Sequence, residues 1–270
     1  MPELPEVETV KNELSPLVLG RKVTNVTLLW EGIVRQPSAT DFRSRLIGQK
    51  ITGINRRGKY LLFSLSNGGT LIAHLKMSGA LIAGRGNAQE VRFARAVLYF
   101  DDGSNVVFRD PRKFGRMWLV NDASSVVGKL GPEPLETDFT TQVLAQRIKG
   151  RKAPIKALLC DQSIVAGVGN LYADEALFLA RIHPLTEGGN FFEYRLKHLH
   201  SAIRRVLQKG IKNKGASIEN YVRPDGNPGT AHLEFLMPRK AGEPCTRCGT
   251  PVERITVRGR GTYFCPKCQV

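Results

Sequence analysis

Acidic residues are scarce in this 270-residue chain: 24 Asp and Glu stand against 40 Lys and Arg, a formal net charge of +16. That imbalance makes a polyanion the first partner to consider, although a ribosomal or generally adhesive basic protein would carry the same sign. Long apolar runs are missing too. Nothing approaches the ~18 residues needed to cross a bilayer, and the first twenty residues hold four glutamates, which argues against a signal or transit peptide. A cytosolic protein without membrane association is therefore expected. No internal repeat or low-complexity tract is present, so the length implies one large or two medium globular domains.

Cysteine is also rare, at five residues. In a reducing compartment these read as metal ligands or free thiols rather than disulfides. Four of them form Cys245-x-x-Cys248 and Cys265-x-x-Cys268, two thiolate knuckles with the spacing of one structural tetrahedral zinc site. Between them, residues 252–257 and 262–264 read as a β-hairpin with Arg258-Gly259-Arg260-Gly261 at its tip, where arginines suit phosphate contact. The fifth, Cys160, lies in a helical pattern and reads as a small buried apolar residue.

The N-terminus, Met1-Pro2-Glu3-Leu4-Pro5-Glu6, allows two readings. Removal of Met1, which a small second residue permits, would expose the secondary amine of Pro2 beside the carboxylates of Glu3 and Glu6. An α-amino group has a reference pKa near ~8, and the positive end of a helix would lower it further, giving a nucleophile for a carbon electrophile such as a sugar C1′. Alternatively, proline and glutamate in the first turn are simply favourable helix-start chemistry. Leu4, Val7, Val10 and Leu14 recur at helical spacing, and Ser15-Pro16 is expected to end the helix.

From residue 21 to about 120 the pattern becomes short apolar runs separated by turns. Strands are expected at 23–30, 50–55, 60–65, 70–75, 94–100, 105–108 and 117–120, suggesting a β-sandwich or barrel. Three polar insertions interrupt them. Arg56-Arg57-Gly58-Lys59 is ordinarily a solvated turn. In His74-Leu75-Lys76-Met77-Ser78-Gly79, the histidine and methionine are by default core residues. Residues 109–116 put four cationic side chains around Phe114, the combination a base-stacking or intercalating loop requires. A linker is expected over 121–140. Helices then follow at 141–149, 154–160, 171–180 and 191–214, the last with a basic, largely solvated face. Gly167-Val168-Gly169-Asn170 precedes one helix and could aim backbone N–H groups at an anion, though helix packing explains such glycines equally well. Residues 214–230 read as a long, polar, mobile loop.

Taken together, these motifs resemble the bacterial formamidopyrimidine-DNA glycosylases, repair enzymes for 8-oxoguanine. The resemblance runs from Pro2-Glu3-Leu4-Pro5-Glu6 through Lys59, residues 74–79, Asp110-Pro111-Arg112-Lys113-Phe114-Gly115 and Gly167-Val168-Gly169-Asn170 to the four cysteines. It implies an α+β protein in three parts. A two-sheet β-sandwich with an N-terminal helix would span 1–134, a helix-two-turn-helix domain 135–234, and a zinc finger 235–270, with damaged duplex DNA in the cleft between the domains. It further implies that Pro2 attacks C1′ and forms an iminium, that Glu3 serves the sugar oxygen as acid and base, and that β,δ-elimination cuts the strand. Glu6 would support the N-terminus, and Lys59 would meet the damaged nucleotide. His74, Lys156, Asn170 and Arg260 would hold phosphates, Arg260 as one of the catalytic residues, and Gly167 would contact the DNA. Met77, Arg112 and Phe114 would fill the space left by the extruded base, with Ser217 and Tyr221 in a loop covering that base. One structural Zn²⁺ is implied, in a monomer acting in the cytoplasm on nucleoid DNA, with salt-sensitive binding. The chain carries Ser78 where some relatives have glutamate, and Leu236-Met237-Pro238-Arg239-Lys240 lacks an expected Tyr-Gly pair. Two rival readings are a zinc-finger binder without catalysis and the related endonuclease VIII, which acts on oxidised pyrimidines; Leu4 counts against the second.

Overall fold

The computed structural model describes residues 1–189, 191 and 193–270, which divide into two compact units. The first comprises Met1–Lys129 and Asn213–His232; the second comprises Leu130–Lys212 and Leu233–Val270. The first unit is therefore discontinuous, because a segment that follows the helical region in sequence clusters with the N-terminal part.

The first unit opens with α1 (Leu4–Val18), in which Val7, Val10, Leu14 and Val18 are all buried. This 3–4 spacing puts them on one stripe, each contributing roughly 1.5–3 kcal/mol of apolar burial. An aspartate at Val10 would place an unpaired charge in that stripe. The helix does not stop at Pro16. A proline this close to the C-terminus costs only one ladder bond, Ser15 Oγ donates to the Lys11 carbonyl at 2.8 Å, and burial of Val18 holds the last turn.

Next come β1 (Val23–Leu28), β2 (Val34–Gln36), α2 (Ala39–Leu46), β3 (Ile51–Arg57), β4 (Tyr60–Leu65), β5 (Thr70–His74), β6 (Ala80–Arg85), β7 (Ala94–Phe100), β8 (Ser104–Arg109), β9 (Arg116–Val120) and the short α3 (Ser124–Val127). They form a four-stranded sheet in the order β1-β7-β8-β6 and a five-stranded sheet in the order β2-β9-β5-β4-β3. Val26, Leu98 and Phe108 from the first sheet and Leu61, Leu71 and Leu119 from the second share one hydrophobic core with α1. Of the two architectures the strand pattern allowed, the layered one is present.

The chain crosses between the sheets twice where it matters for the site: residues 75–79 join β5 to β6, and residues 110–115 join β8 to β9. Four elements had no expectation from sequence. β2 has three residues and α3 is a single turn, β6 buries only its first two residues, and α2 has only Phe42 and Leu46 buried, started by Ser38 accepting the Asp41 N–H at 3.1 Å.

The second unit contains α4 (Thr141–Ile148), α5 (Ile155–Leu159), α6 (Asn170–Ala180), α7 (Glu193–Lys212), and the hairpin β10 (Glu253–Val257) and β11 (Arg260–Phe264). Helix α7 buries Leu196, Leu199, Ile203, Val206 and Leu207. Phe192, within the helix expected to start at 191, lies outside the described residues. Gly210 is required in α7, since a Cβ there would lie 2.6 Å from the Tyr172 ring. The basic face is not wholly solvated: Arg204 donates to the Pro134, Leu135 and Glu136 carbonyls at 2.8–3.1 Å. Among the described residues no helix is long and apolar enough to cross a membrane.

Candidate functional site

Pro2 and Glu3 are buried at the start of α1, whereas Met1 is half exposed. The Glu3 N–H donates to Glu6 Oε2 at 2.7 Å, and the Ala216 N–H donates to Glu6 Oε1 at 2.8 Å. Glu6, 1% exposed, thus closes the first turn with one oxygen and ties it to the returning segment with the other. One turn on, Glu8 Oε2 accepts from Arg56 Nε at 2.7 Å, and Arg56 Nη1 donates to the Gly58 carbonyl at 3.1 Å. Burial alone would raise the Glu8 carboxyl, but Lys11 and Arg56 outweigh it and hold it below the usual range. This chain of bonds fixes the β3–β4 turn against the helix. Lys59 in that turn is only 4% exposed, so the solvated-turn reading does not apply to it.

The segment read as a mobile loop is anchored along its length. Tyr221 sits in the N-terminal core and donates to the Lys214 carbonyl at 3.2 Å; burial, then the Glu6 charge, raises its pKa. Ser217 Oγ donates to the Tyr221 carbonyl at 2.8 Å and accepts the Gly229 N–H at 2.9 Å. Arg223 pairs with Glu13 at 2.9 Å, and the Ala83 N–H donates to the Pro224 carbonyl at 2.9 Å. Gly215, at φ +78°, would bring a Cβ within 2.8 Å of Tyr221 and 2.9 Å of Glu6. Ser217 and Tyr221, expected at a covered base, bond within the segment, in which residues 218–220 and 225–228 are exposed.

Met77, Arg112 and Phe114 come together on the two crossovers. The Arg112 guanidinium lies 4.8 Å from the Phe114 ring centroid, and its Nη1 lies 4.0 Å from Met77 Sδ; Arg112 and Phe114 are exposed. Asp110, fully buried, organises both loops. Its Oδ1 accepts from Ser78 Oγ at 2.5 Å and from the Arg112 N–H at 3.2 Å, and its Oδ2 accepts the Phe114 and Gly115 N–H groups at 2.7 Å each. Sequence reasoning gave Asp110 no role; the available signal was an Asp-Pro step at a strand end, a turn former that binds following N–H groups. Ser78, buried and bonded to Asp110, couples the Met77 loop to the Phe114 loop.

His74 is 7% exposed, and its Nδ1 accepts the Lys76 N–H at 2.9 Å. Burial, then Lys76 and Lys59, push its pKa down to about 3. The ring is neutral with its proton on Nε2, the form that donates one hydrogen bond.

In the second unit, the residues expected to meet phosphates range from fully buried Lys156 to exposed Arg260. Lys156 is fully buried, its ammonium on Asp174 and on the Asn170 carbonyl at 2.9 Å. These bonds fasten α5 to α6 at the position where a phosphate contact is expected of Lys156. Asp174 also takes Arg239 at 2.8 Å; burial lifts its carboxyl, and Lys156 and Arg239 pull it back. The Gly167 N–H is occupied by Gln162 Oε1 at 3.0 Å, and φ +83° there explains the glycine. Asn170 Nδ2 donates to the Gly261 carbonyl at 2.9 Å, joining α6 to the hairpin. Arg260 is exposed and, with Arg258, Arg151 and Lys152, lines an open groove of about 710 Å³.

The sulfur atoms of Cys245, Cys248, Cys265 and Cys268 all lie within 4.8 Å of one another. Two of their separations are 4.0 and 3.5 Å, against the ~3.8 Å edge of a tetrahedron built on ~2.3 Å Zn–S bonds. The Arg247 N–H points at Cys245 Sγ at 3.4 Å, and Gln269, 1% exposed, braces the Cys265 N–H and the Ile182 carbonyl. Four thiolates with this spacing and support fit one zinc ion, held structurally with no open position.

Residues 1–117 match the formamidopyrimidine-DNA glycosylase N-terminal domain, residues 130–222 the H2TH domain of the same enzymes, and residues 242–270 a zinc finger found in FPG and IleRS. The chain belongs to the formamidopyrimidine-DNA glycosylase family. It is 46% identical to the formamidopyrimidine-DNA glycosylase of Chloroflexus aurantiacus over all of this chain and 98% of the relative, and 40% identical to that of Geobacillus kaustophilus over the whole of both. It superposes on the Thermus thermophilus protein with a TM-score of 0.90 at 39% identity, covering 99% of this chain and 98% of that one. A Lactococcus lactis FPG solved with DNA containing an abasic site gives 0.92 at 36% identity over 99% of each chain. As a member of this family the protein is a DNA-repair glycosylase with abasic-site lyase activity, it works on DNA, and its finger carries one structural zinc.

Proposed function

We propose that the protein excises oxidised purines, 8-oxoguanine and formamidopyrimidines, from duplex DNA through an imine on Pro2. The observation that carries this reading is the buried start of α1, with Glu3 beside Pro2 and the turn locked by Glu6. While Met1 is attached, the Pro2 nitrogen is an amide. Once Met1 is removed, the amine attacks C1′, the bond from C1′ to the base nitrogen breaks, and the base leaves with a proton. Glu3 delivers and removes protons at the sugar oxygen. The C1′–O4′ bond opens as the nitrogen lone pair forms the iminium and the released oxygen takes a proton; the iminium acidifies C2′, so elimination breaks the C3′–O bond and then the C5′–O bond, and water releases the amine. Lys59 lies at the damaged nucleotide, and His74 donates Nε2–H to a phosphate without adding charge. A base must leave the stack before its C1′ is reachable, at a cost of a few kcal/mol, and Met77, Phe114 and Arg112 offset that cost by filling the gap and bonding the orphaned base.

The substrate class is further supported by the Lactococcus lactis FPG solved with Fapy-dG DNA, at a TM-score of 0.91 and 36% identity over 99% of each chain. The protein acts as a monomer in the cytoplasm. Borohydride should trap a covalent adduct between the Met1-processed protein and an 8-oxoguanine duplex, and none when Met1 is retained. Absence of an adduct with the processed protein would falsify the imine, and preference for thymine glycol would move the substrate to oxidised pyrimidines.

A further inference from the structure

The wedge loops leave the four-stranded sheet at one end, and a second basic cluster stands on the same end. There Ala94 opens β7 opposite Arg109, the last residue of β8, and Ala80 opens β6 opposite the same residue. Immediately before β7, Phe93 adopts φ +68°, a conformation a bulky side chain adopts only when its surroundings dictate it. Its carbonyl accepts the Asp110 N–H at 2.9 Å. Three guanidiniums gather on its ring: Arg92 at 4.6 Å, Arg109 at 5.8 Å and Arg95 at 6.0 Å from the centroid. Arg95 Nε is held by the Asp110 carbonyl at 2.8 Å, and Arg109 Nε by the Arg92 carbonyl at 3.2 Å.

Among the described residues none of the three arginines forms an ion pair, and the neighbouring carboxylate, Asp110, is buried and occupied by Ser78 and the loop N–H groups. An aromatic face can gather guanidiniums, but three like charges on one half-buried ring remain unneutralised. Such an arrangement suits a partner that brings closely spaced anions.

Position indicates which anions. Lys59 and His74 belong to the five-stranded sheet, and α1 brings Pro2 and Glu3 to it through Glu8 and Arg56. The Phe93 cluster belongs to the four-stranded sheet, and both wedge loops are crossovers between the two. A wedge that replaces an extruded nucleotide divides the damaged strand from its complement. If one side of the wedge holds the damaged strand, as the proposed function requires, the other side meets the complement.

We infer that Arg92, Arg95 and Arg109, assembled on Phe93, hold backbone phosphates of the undamaged strand opposite the lesion. The contact would position that strand without reading its sequence.

The test uses the full-length protein and a duplex with a tetrahydrofuran abasic analogue, carrying neutral methylphosphonates at successive positions of one strand or the other. Methylphosphonates in the undamaged strand beside the lesion are expected to weaken wild-type binding about tenfold and to leave a variant carrying Arg92→Gln and Arg109→Gln indifferent. Those in the damaged strand should weaken both proteins equally. The double variant should also lower the slope of log affinity against log salt by about 1.8, since each lost phosphate contact accounts for ~0.9. Arg92→Gln alone, at an exposed side chain, should lower it by about 0.9, which separates lost contact from misfolding. If undamaged-strand methylphosphonates affect wild type and variant alike, or neither, the assignment is wrong. Borohydride trapping of the wild-type protein on a natural abasic duplex examines the proline chemistry separately, so failure of one reading is distinguishable from failure of the other.

Discussion

Replacing Asp110 should dismantle the proposed wedge while leaving the proposed nucleophile, Pro2, in place. Its carboxylate accepts four hydrogen bonds, from Ser78 Oγ and from the Arg112, Phe114 and Gly115 N–H groups. Ser78 and Gly115 are buried, so in Asp110→Ala both donors lose their partner with no access to water; Arg112 and Phe114 are exposed and can be rehydrated. Two unsatisfied buried donors at ~1–3 kcal/mol each give a destabilisation of about 2–6 kcal/mol. Against a typical total of ~5–15 kcal/mol this leaves most molecules folded. Asp110→Asn keeps the volume but turns an NH₂ toward donors, and should fall in the lower half of that range. Urea unfolding reports the stability loss through a lower midpoint at unchanged slope. The functional effect is larger for base excision than for strand cleavage. A disordered wedge no longer offsets unstacking, and losing ~2–3 kcal/mol there slows single-turnover release of 8-oxoguanine by about 30- to 150-fold. Cleavage at a preformed abasic site needs no base extruded and should slow less than tenfold. An Asp110→Asn protein with wild-type midpoint and wild-type excision would refute the assignment of Asp110 as the organiser of both loops.

Two further outcomes are expected. Stripping the metal with a chelator should release one zinc per chain and lower DNA affinity by more than tenfold, because the hairpin carrying Arg260 loses the crosslink of its four cysteines while the sheets of the first unit remain; unchanged affinity after stoichiometric release would contradict it. His74 is buried neutral, with a pKa near 3 against 6.5 when exposed, so between those values the unfolded chain binds a proton the folded chain refuses. Its contribution is intact above pH 6.5 and is lost as pH falls toward 3, at up to ~1.4 kcal/mol per pH unit. His74→Gln should flatten that acid limb in urea titrations between pH 6 and 4, and an unaltered limb would show that the ring does not titrate there.

Much of the fold was legible because local pattern and tertiary demand coincide. The stripe of Val7, Val10 and Leu14, the strand at Tyr60–Leu65 and the paired cysteine knuckles state their positions in the sequence itself. Other features were hidden because a distant partner decides them. Helix α2 has a short apolar face and depends on the sheet beneath it, and Pro16 is tolerated because Val18 is buried beyond it. A lysine in a helical pattern gives no sign that an aspartate eighteen residues on will pair with it in the interior, as Asp174 does with Lys156. Glycine and proline in residues 214–230 looked like looseness. At Gly215 and Gly229 the glycines instead permit close approach, since a Cβ at Gly229 would lie 2.2 Å from the Lys214 carbonyl oxygen.

The bond from Ala216 to Glu6 joins residues 210 positions apart, and Tyr221 fills the same core as the first helix. Contacts that distant are slow to close and impose an order on synthesis. A ribosome that has released only the first 129 residues has made both sheets and the whole of the first helix, but not the chain that fastens the helix start. Residues 130–212 must be translated before residues 213–232 can reach the first unit. Nascent chains and fragments ending near Lys129 therefore carry Pro2 on a loosened first turn, and the geometry proposed for its amine is completed only late in the life of the polypeptide.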